Sequence, residues 1–292
     1  MIHRPVTIKT YREHFLNTLS PLYGIDEATS FFYILTHSYL GLSRAQVALS
    51  LAQELAPSDA VIFEKAVAQL KNQRPIQYIL GETEFFSLPI QVDQSVLIPR
   101  PETEELVAWI ISDLESRQSS SIKILDIGTG SGCIAVSLAK KIPKAEVFAL
   151  DLSEKAIQIA SKNARLNQVT VNFITADVTD DALVLPHKFD IIVSNPPYIR
   201  TVEKQEILPN VLNNEPHMAL FVEDDDPLLF YRKITKLANT YLTNKGVLYF
   251  EINQYLGAET LKLISDLGFD TVELRKDIFT NDRMIRAKKK SK

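Results

Sequence analysis

Asn195-Pro196-Pro197-Tyr198 follows directly on an apolar run, Phe189-Asp190-Ile191-Ile192-Val193-Ser194. An amide, two prolines and an aromatic at the mouth of a buried strand make a poor general-purpose turn and a good clamp for a planar nitrogen. Proline has no N–H and a fixed φ, so this backbone offers carbonyl oxygens with few competing donors. The Asn195 side chain adds another acceptor, and Tyr198 can cover a flat group by stacking. Such a site suits an NH₂ on an sp² carbon, in an amide or in a nucleobase.

A second constellation lies upstream. Asp126-Ile127-Gly128-Thr129-Gly130-Ser131-Gly132 closes one apolar strand and opens a helix, where glycines let the backbone approach a ligand. Alone, this is also the pattern of any tight strand-to-helix turn. The next strand ends at Asp151, a spacing at which an acid reaches a ribose hydroxyl in nucleotide folds. The third ends at Asp177, suited to an adenine amino group or its surroundings. Three such strand ends describe a crevice for an adenosine cofactor, with NAD and S-adenosylmethionine both open. The glycines follow G-x-G-x-G rather than G-x-G-x-x-G, and no pyrophosphate-facing feature accompanies them. A hydride carrier would need a carbonyl or carbinol site with an acid or base, whereas a sulfonium methyl donor needs an in-line nucleophile. The clamp at the fourth strand end is positioned to hold a substrate nitrogen across the crevice, which favours methyl transfer to nitrogen.

The elements that must position these residues are legible from period and capping. Strands are expected at about 122–127, 146–150, 171–176, 189–194 and 246–251, alternating with helices near 131–141, 153–167, 227–242 and 256–267. That alternation reads as an α/β fold with a parallel sheet. Strands at about 269–275 and 282–287 have no helix between them and must pair antiparallel. Residues 1–80 read as a helical bundle. Asp26 is positioned to cap a helix ending near Gly41, and Ser43 with Gln46 forms a capping-box pattern ahead of Val47, Leu51 and Leu55. Pro57-Ser58 breaks that helix, and another continues to Arg74-Pro75. Residues 81–98 alternate apolar and polar around Pro89 and the polar 91–94 segment, as a β-hairpin linker would. Ser116 to Ser121 is a polar linker, and residues 199–226 form a connection long enough to close over a substrate.

Composition narrows the class. The 292 residues are 46% hydrophobic and 23% charged, as in an ordinary globular protein. The net charge of −4 argues against direct nucleic-acid binding through phosphates. The basic tail Lys288-Lys289-Lys290-Ser291-Lys292 reads as a solvated end. A single cysteine, Cys133, excludes a disulfide framework and multi-cysteine metal sites, and is expected to pack as a small apolar residue. Neither a signal peptide nor a membrane anchor is expected, and the single cysteine fits an expected reducing, cytoplasmic setting. Trp109 is expected to anchor the helix that follows the linker. His3, His14, His37, His187 and His217 show no metal spacing.

Over nearly its whole length the chain resembles the release-factor glutamine methyltransferases (the HemK/PrmC-type protein-(glutamine-N5) methyltransferases). The resemblance is carried by Pro75-Ile76-Gln77-Tyr78-Ile79-Leu80-Gly81, Leu97-Ile98-Pro99-Arg100-Pro101-Glu102-Thr103-Glu104, the glycine turn, Asn195 to Ile199, Asn214-Glu215-Pro216, Phe250-Glu251-Ile252, and Lys276-Asp277 with Asp282-Arg283. The Asn-Pro-Pro-Tyr motif alone is shared with adenine-N6 DNA methyltransferases; joined to the Ile98–Glu104 segment it is far more specific.

The resemblance implies a Rossmann-like S-adenosylmethionine-dependent methyltransferase domain with a seven-stranded mixed sheet at 99–292. A hairpin linker at 81–98 and a substrate-recognition bundle at 1–80 precede it. It implies methylation of the glutamine in the Gly-Gly-Gln motif of class I peptide chain release factors, with S-adenosyl-L-homocysteine as product. Gly128 to Gly132 would wrap the methionine part of the cofactor, Asp151 the ribose, and Asp177-Val178 the adenine edge. Asn195, Pro196, Pro197 and Tyr198 would hold the glutamine, with Asn195 also near the cofactor. An alternative is amino-group methylation of adenine or guanine in DNA or RNA. No metal is expected, and the chain is expected to act as a monomer. Three positions depart from the family pattern: Val222 to Asp226 replaces a glycine-rich turn, and Asn253 and Thr280 stand where glycine is common.

Overall fold

The computed structural model describes residues 6–115 and 122–289. The Ser116–Ser121 linker, His3 and the last three residues of the basic tail lie outside them. The chain divides into two compact units, one of residues up to Gly81 with Pro209–Asn214, the other of Glu82–Leu208 with Glu215 onward.

The first unit is helical: α1 (Ile8–Tyr23), α2 (Ile25–Leu40), α3 (Arg44–Leu49), α4 (Pro57–Lys71) and α5 (Ile76–Leu80). Phe15, Leu19, Phe32, Leu35, Phe63 and Leu70 are buried together, each such side chain contributing about 1.5–3 kcal/mol on leaving water. Ser43 and Gln46 form the expected capping box, and α2 ends at Gly41 with φ +69°. Two local expectations are corrected. Helix α2 starts at Ile25, because Gly24 alone joins α1 to α2 and takes φ +79°; Asp26 sits in the first turn, where its charge favours the helix N-terminus. The helix after Ser43 stops at Leu49, short of Leu51 and Leu55, because the chain beyond it bonds to residues 6–9. Leu55 N–H reaches Val6 O at 2.8 Å and Ile8 N–H reaches Gln53 O at 2.9 Å. Tertiary backbone pairing overrides the helical period there.

The second unit opens with a hairpin, β1 (Glu82–Phe85) and β2 (Leu88–Gln91), followed by α6 (Pro101–Glu115). The expected hairpin is present, but it closes at Phe86-Ser87, not at the polar 91–94 segment. Both turn residues have positive φ, 51° and 60°, as a tight two-residue hairpin turn requires. The Phe86 N–H is held by Glu104 Oε1 at 2.9 Å. Asn163 grips the second strand, accepting from Gln91 N–H at 2.7 Å and donating to Gln91 O at 2.9 Å.

The sheet follows: β3 (Ile122–Ile127), α7 (Cys133–Lys141), β4 (Ala145–Asp151), α8 (Glu154–Leu166), β5 (Val171–Thr175) and β6 (Phe189–Ser194). Then come β7 (Ile199–Arg200), a 3₁₀ turn (Thr201–Glu206), α9 (Pro209–Leu212), which belongs to the first unit, α10 (His217–Leu220) and β8 (Phe221–Val222). The chain ends with α11 (Leu229–Tyr241), β9 (Leu242–Glu251), α12 (Gly257–Asp266), β10 (Phe269–Lys276) and β11 (Asp282–Lys289). The seven strands run in the order β10-β11-β9-β6-β3-β4-β5, parallel except for β11. This is the seven-stranded mixed sheet with a terminal antiparallel hairpin expected from the sequence. Strands β3 and β6 are buried along nearly their whole length, as strands covered on both faces are. Helix α11 buries Tyr231, Ile234, Thr235 and Ala238 on one stripe, the spacing an amphipathic helix requires. Trp109 on α6 lies edge-on to Tyr249, with the Arg275 guanidinium 3.9 Å above its ring. Among the described residues no helix is long and apolar enough to cross a membrane.

Thr280, in the β10–β11 turn, has φ +68° and is exposed. A β-branched residue is strained there, which accounts for the glycine common at this position in the resembled family. Replacing Thr280 by Gly is expected to raise stability by about 1 kcal/mol, read as a higher urea midpoint with an unchanged slope. A lower midpoint would mean that the turn is not strained at Thr280.

Candidate active site

Strands β3, β4 and β5 step one way across the sheet and β6 returns to the other side of β3. The crevice opens above this reversal, at the carboxyl ends of the strands, where open α/β sheets bind ligands. The cleft there is lined by Gly128 and Gly130 after β3, Asp151 after β4, Asp177 and Val178 after β5, and Asn195, Pro196 and Pro197 after β6. Ser95 to Leu97, Pro216, Met218 and Phe230 complete its walls.

The turn after β3 is built for close approach. Gly128 and Thr129 donate their N–H groups to Leu150 O at 2.8 and 3.0 Å, which pulls the turn over β4. A Cβ on Gly128, whose φ is +72°, would face the cleft 3.9 Å from the Asn195 carbonyl. Gly132 serves packing instead: at φ +80° a Cβ would lie 2.8 Å from that of Ala160 on α8. Thr129 and Ser131 are buried and also structural. The Thr129 hydroxyl donates to Asp126 Oδ2 at 2.6 Å, and Ser131 O accepts from Asn163 Nδ2 at 2.8 Å. Neither they nor Gly132 lines the cleft.

Asp151 is fixed through both carboxylate oxygens, accepting from Ser153 N–H and Gly130 N–H at 2.9 Å each. Burial pushes its carboxyl above the ordinary aspartate value, opposed by those two amides and that of Leu152. Asp177 accepts from Thr179 N–H and Thr179 Oγ1, both at 2.7 Å and both on Oδ1. Asp126 is fully buried beneath the turn, and desolvation pushes it up to about 7. Cys133, buried in the first turn of α7, is pushed up to about 12 by burial.

The clamp is held from behind. Asn195 Nδ2 donates to Thr103 Oγ1 at 3.3 Å, and Thr103 Oγ1 donates to Glu251 Oε2 at 2.6 Å. Tyr198 donates its hydroxyl to Glu251 Oε1 at 3.1 Å, its ring packed against the sheet's core and outside the cleft lining. Asn253 donates to Tyr198 O at 2.9 Å and Glu203 Oε2 at 2.8 Å, a role for the side chain that replaces glycine. Glu215, 4% exposed, accepts from Ile98 N–H at 3.2 Å and Arg100 Nη2 at 2.6 Å. This pair fixes the segment carrying Pro216 and Met218 against the cleft. The long connection thus has elements of its own, β7 pairing with β8 in parallel.

Thr103, Glu251 and Glu215 were not singled out from the sequence as site residues. Each lies in a stretch that carries the family resemblance, yet nothing in spacing links Thr103 to Glu251 across 148 positions. Among the described residues no group of three His, Cys, Asp or Glu could hold a metal ion.

Residues 13–81 match the family described as "PrmC N-terminal domain", and residues 107–218 match "Methyltransferase small domain". A release factor glutamine methyltransferase of Flavobacterium psychrophilum is 54% identical over 96% of this chain and 98% of its own length. The chain belongs to the release factor glutamine methyltransferase family. A second member, from Bacteroides thetaiotaomicron, is 40% identical over 92% of this chain and 96% of its own. Among solved structures, the 16S rRNA N2 G1207 methyltransferase of Thermus thermophilus superposes with a TM-score of 0.52 at 20% identity, covering 72% of this chain and 50% of that one. At that identity the likeness extends to the methyltransferase fold alone. The family's cofactor is S-adenosyl-L-methionine, and the cleft fits it: a glycine turn open to close approach, a fixed carboxylate for hydroxyls, and Asp177 with its second oxygen uncommitted.

Proposed function

We propose that this protein methylates the side-chain amide nitrogen of the glutamine in the Gly-Gly-Gln motif of class I peptide chain release factors. The bound cofactor supplies a methyl group on a positively charged sulfur. In this reading Gly128 and Gly130 take the methionine part, Asp151 the ribose hydroxyls, and Asp177 and Val178 the adenine edge. Thr129, Ser131 and Gly132 shape the turn from beneath. Residues 1–80 recognise the release factor, 81–98 link, and 99–292 catalyse. The chain acts as a monomer in the cytoplasm.

The observation that carries the reading is the state of the Asn195 amide. Its nitrogen is engaged by Thr103, which leaves Oδ1 as an acceptor in a cleft shared with Asp151 and Gly128. An amide nitrogen is a weak nucleophile because its lone pair is delocalised into the carbonyl, so orientation must do much of the catalysis. Asn195 Oδ1 and the Pro196 carbonyl would accept the two N–H groups and fix the nitrogen. Pro197 adds no N–H to compete. Tyr198 braces the turn through Glu251. The nitrogen gains the methyl and its positive charge as the carbon–sulfur bond breaks, and one of its own two protons can leave afterwards, so no strong base is required beforehand.

Incubation with S-adenosyl-L-methionine and a recombinant release factor, followed by peptide mass spectrometry, tests the assignment. A single methyl on the Gly-Gly-Gln glutamine is expected, lost when that glutamine is replaced by Ala. Label appearing only on DNA or RNA would overturn the protein substrate in favour of a nucleobase.

A further inference from the structure

Asparagine's two amide ends are close in size and opposite in chemistry. A clamp that receives a substrate NH₂ works only if the carbonyl end faces the cleft; the flipped amide would present donors and hold a carbonyl oxygen instead. Something must therefore fix which end points inward. Thr103 touches Asn195 from behind, but a hydroxyl can donate or accept and does not discriminate by itself.

We propose that Thr103 and Glu251 form a hydrogen-bond relay that fixes the Asn195 amide with its oxygen towards the substrate, and that both are positioning residues for methyl transfer. The relay rests on the reading of Asn195 as the residue that receives the glutamine amide. Glu251 as a carboxylate can only accept. Its Oε2 lies 2.6 Å from Thr103 Oγ1, a short charge-assisted bond that commits the hydroxyl proton to Glu251. Only lone pairs then remain on Thr103 Oγ1, so Asn195 must turn its NH₂ towards it, as the 3.3 Å contact to Nδ2 records. The orientation of the clamp is thus written in the charge of a residue that touches no substrate.

The same carboxylate holds the other end of the motif, since Glu251 Oε1 accepts the Tyr198 hydroxyl at 3.1 Å. Thr103 and Glu251 are only 2% and 1% exposed. Three separate elements meet there: the first turn of α6, the end of β9 and the loop after β6. A buried polar set of this kind orders its members only when every partner is satisfied. Burial pushes the Glu251 carboxyl above its ordinary value, and the nearby Glu102 charge adds to that; the Thr103 and Tyr198 hydroxyls and the Arg283 charge oppose the rise. Arg283 is itself held by Asp277 at 3.0 Å.

The test compares Thr103→Ser, which keeps the hydroxyl, with Thr103→Val, which keeps the shape and removes it. Each full-length variant is assayed on a recombinant release factor for kcat and KM, with cofactor affinity measured by calorimetry. Thr103→Val is expected to lower kcat about 10–100-fold, with KM for the factor and cofactor affinity within about threefold of the parent. Thr103→Ser is expected to stay within about threefold of the parent in kcat. Glu251→Gln can donate to Thr103 and release its proton towards Asn195, so it is expected to lower kcat at least as far as Thr103→Val. Parental kcat in Thr103→Val, or equal losses in the Val and Ser variants, would overturn the relay, the second by showing a packing role alone. A parent protein that leaves the glutamine unmodified would overturn the substrate reading itself and the relay with it.

Discussion

Replacing Asn195 by Ala is expected to lower the rate of methyl transfer about 10²–10³-fold, with cofactor affinity within about threefold of the parent. The separation follows from where each function sits. The proposed cofactor side of the cleft is made by backbone at Gly128 and Gly130 and by Asp151, none of which bonds to the Asn195 side chain. The Asn195 main-chain carbonyl, near Gly128, survives the substitution. What is lost is Oδ1, the acceptor proposed to aim a substrate N–H, together with the donor that meets Thr103. Misplacement of the nitrogen by about 1 Å is enough for a loss of this order. Single-turnover rates with saturating cofactor and release factor measure the chemical step directly. Comparable turnover would remove Asn195 from the mechanism; a loss confined to cofactor affinity would move it to the binding side.

How much of this site was legible in the sequence depends on the range of the interaction. Gly128, Gly130, Asp151 and Asp177 fall at the ends of successive apolar strands, so the parallel topology brings them together without side-chain detail. Asn195 and its prolines follow the fourth strand for the same reason. The supports did not show, because Thr103 and Glu251 owe their partnership to helix α6 crossing the end of β9. Arg100 stands between two prolines, and its partner Glu215 lies 115 positions away. Tyr198 illustrates the limit of reading by residue type. A tyrosine beside a binding loop suggests stacking on a ligand, yet its hydroxyl bond to buried Glu251 draws the ring into the core. At the level of elements, strand and helix positions followed from period, whereas the Phe86-Ser87 turn did not. Phe86 is not a usual turn former and neither residue favours the positive φ this turn takes, and the bond from Phe86 N–H to Glu104 stabilises it from outside the hairpin.

Asp151 should dominate cofactor affinity. Asp151→Asn is expected to weaken S-adenosyl-L-methionine binding about 100-fold, with kcat at saturating cofactor within about threefold of the parent. Ser153 and Gly130 each donate an N–H to one carboxylate oxygen at 2.9 Å, and in the proposed function the remaining lone pairs would serve a ribose diol. Asparagine keeps the shape and loses this symmetry. One of the two backbone donors must then face an NH₂, and the Gly130 turn loses its tie or Ser153 loses its own. Hydrogen bonds to a charged acceptor contribute about 1.5–3 kcal/mol each, so losing one or two spans the expected change. Protonation of Asp151 by acid mimics the substitution in part, because a carboxylic acid gives up acceptor capacity. Burial raises the Asp151 carboxyl, so affinity in the parent falls as pH drops through a value above the ordinary aspartate range. The Asn variant lacks that step. Asp126 beneath the turn is pushed up to about 7 mainly by burial, with the Asp151 charge adding to it, so the difference between the two profiles reports Asp151 together with its effect on Asp126. Calorimetric titrations from pH 4 to 8, a range set by these carboxyls, would read it directly. Equal cofactor affinity in parent and variant, or a fall in kcat with affinity intact, would place the ribose elsewhere in the cleft.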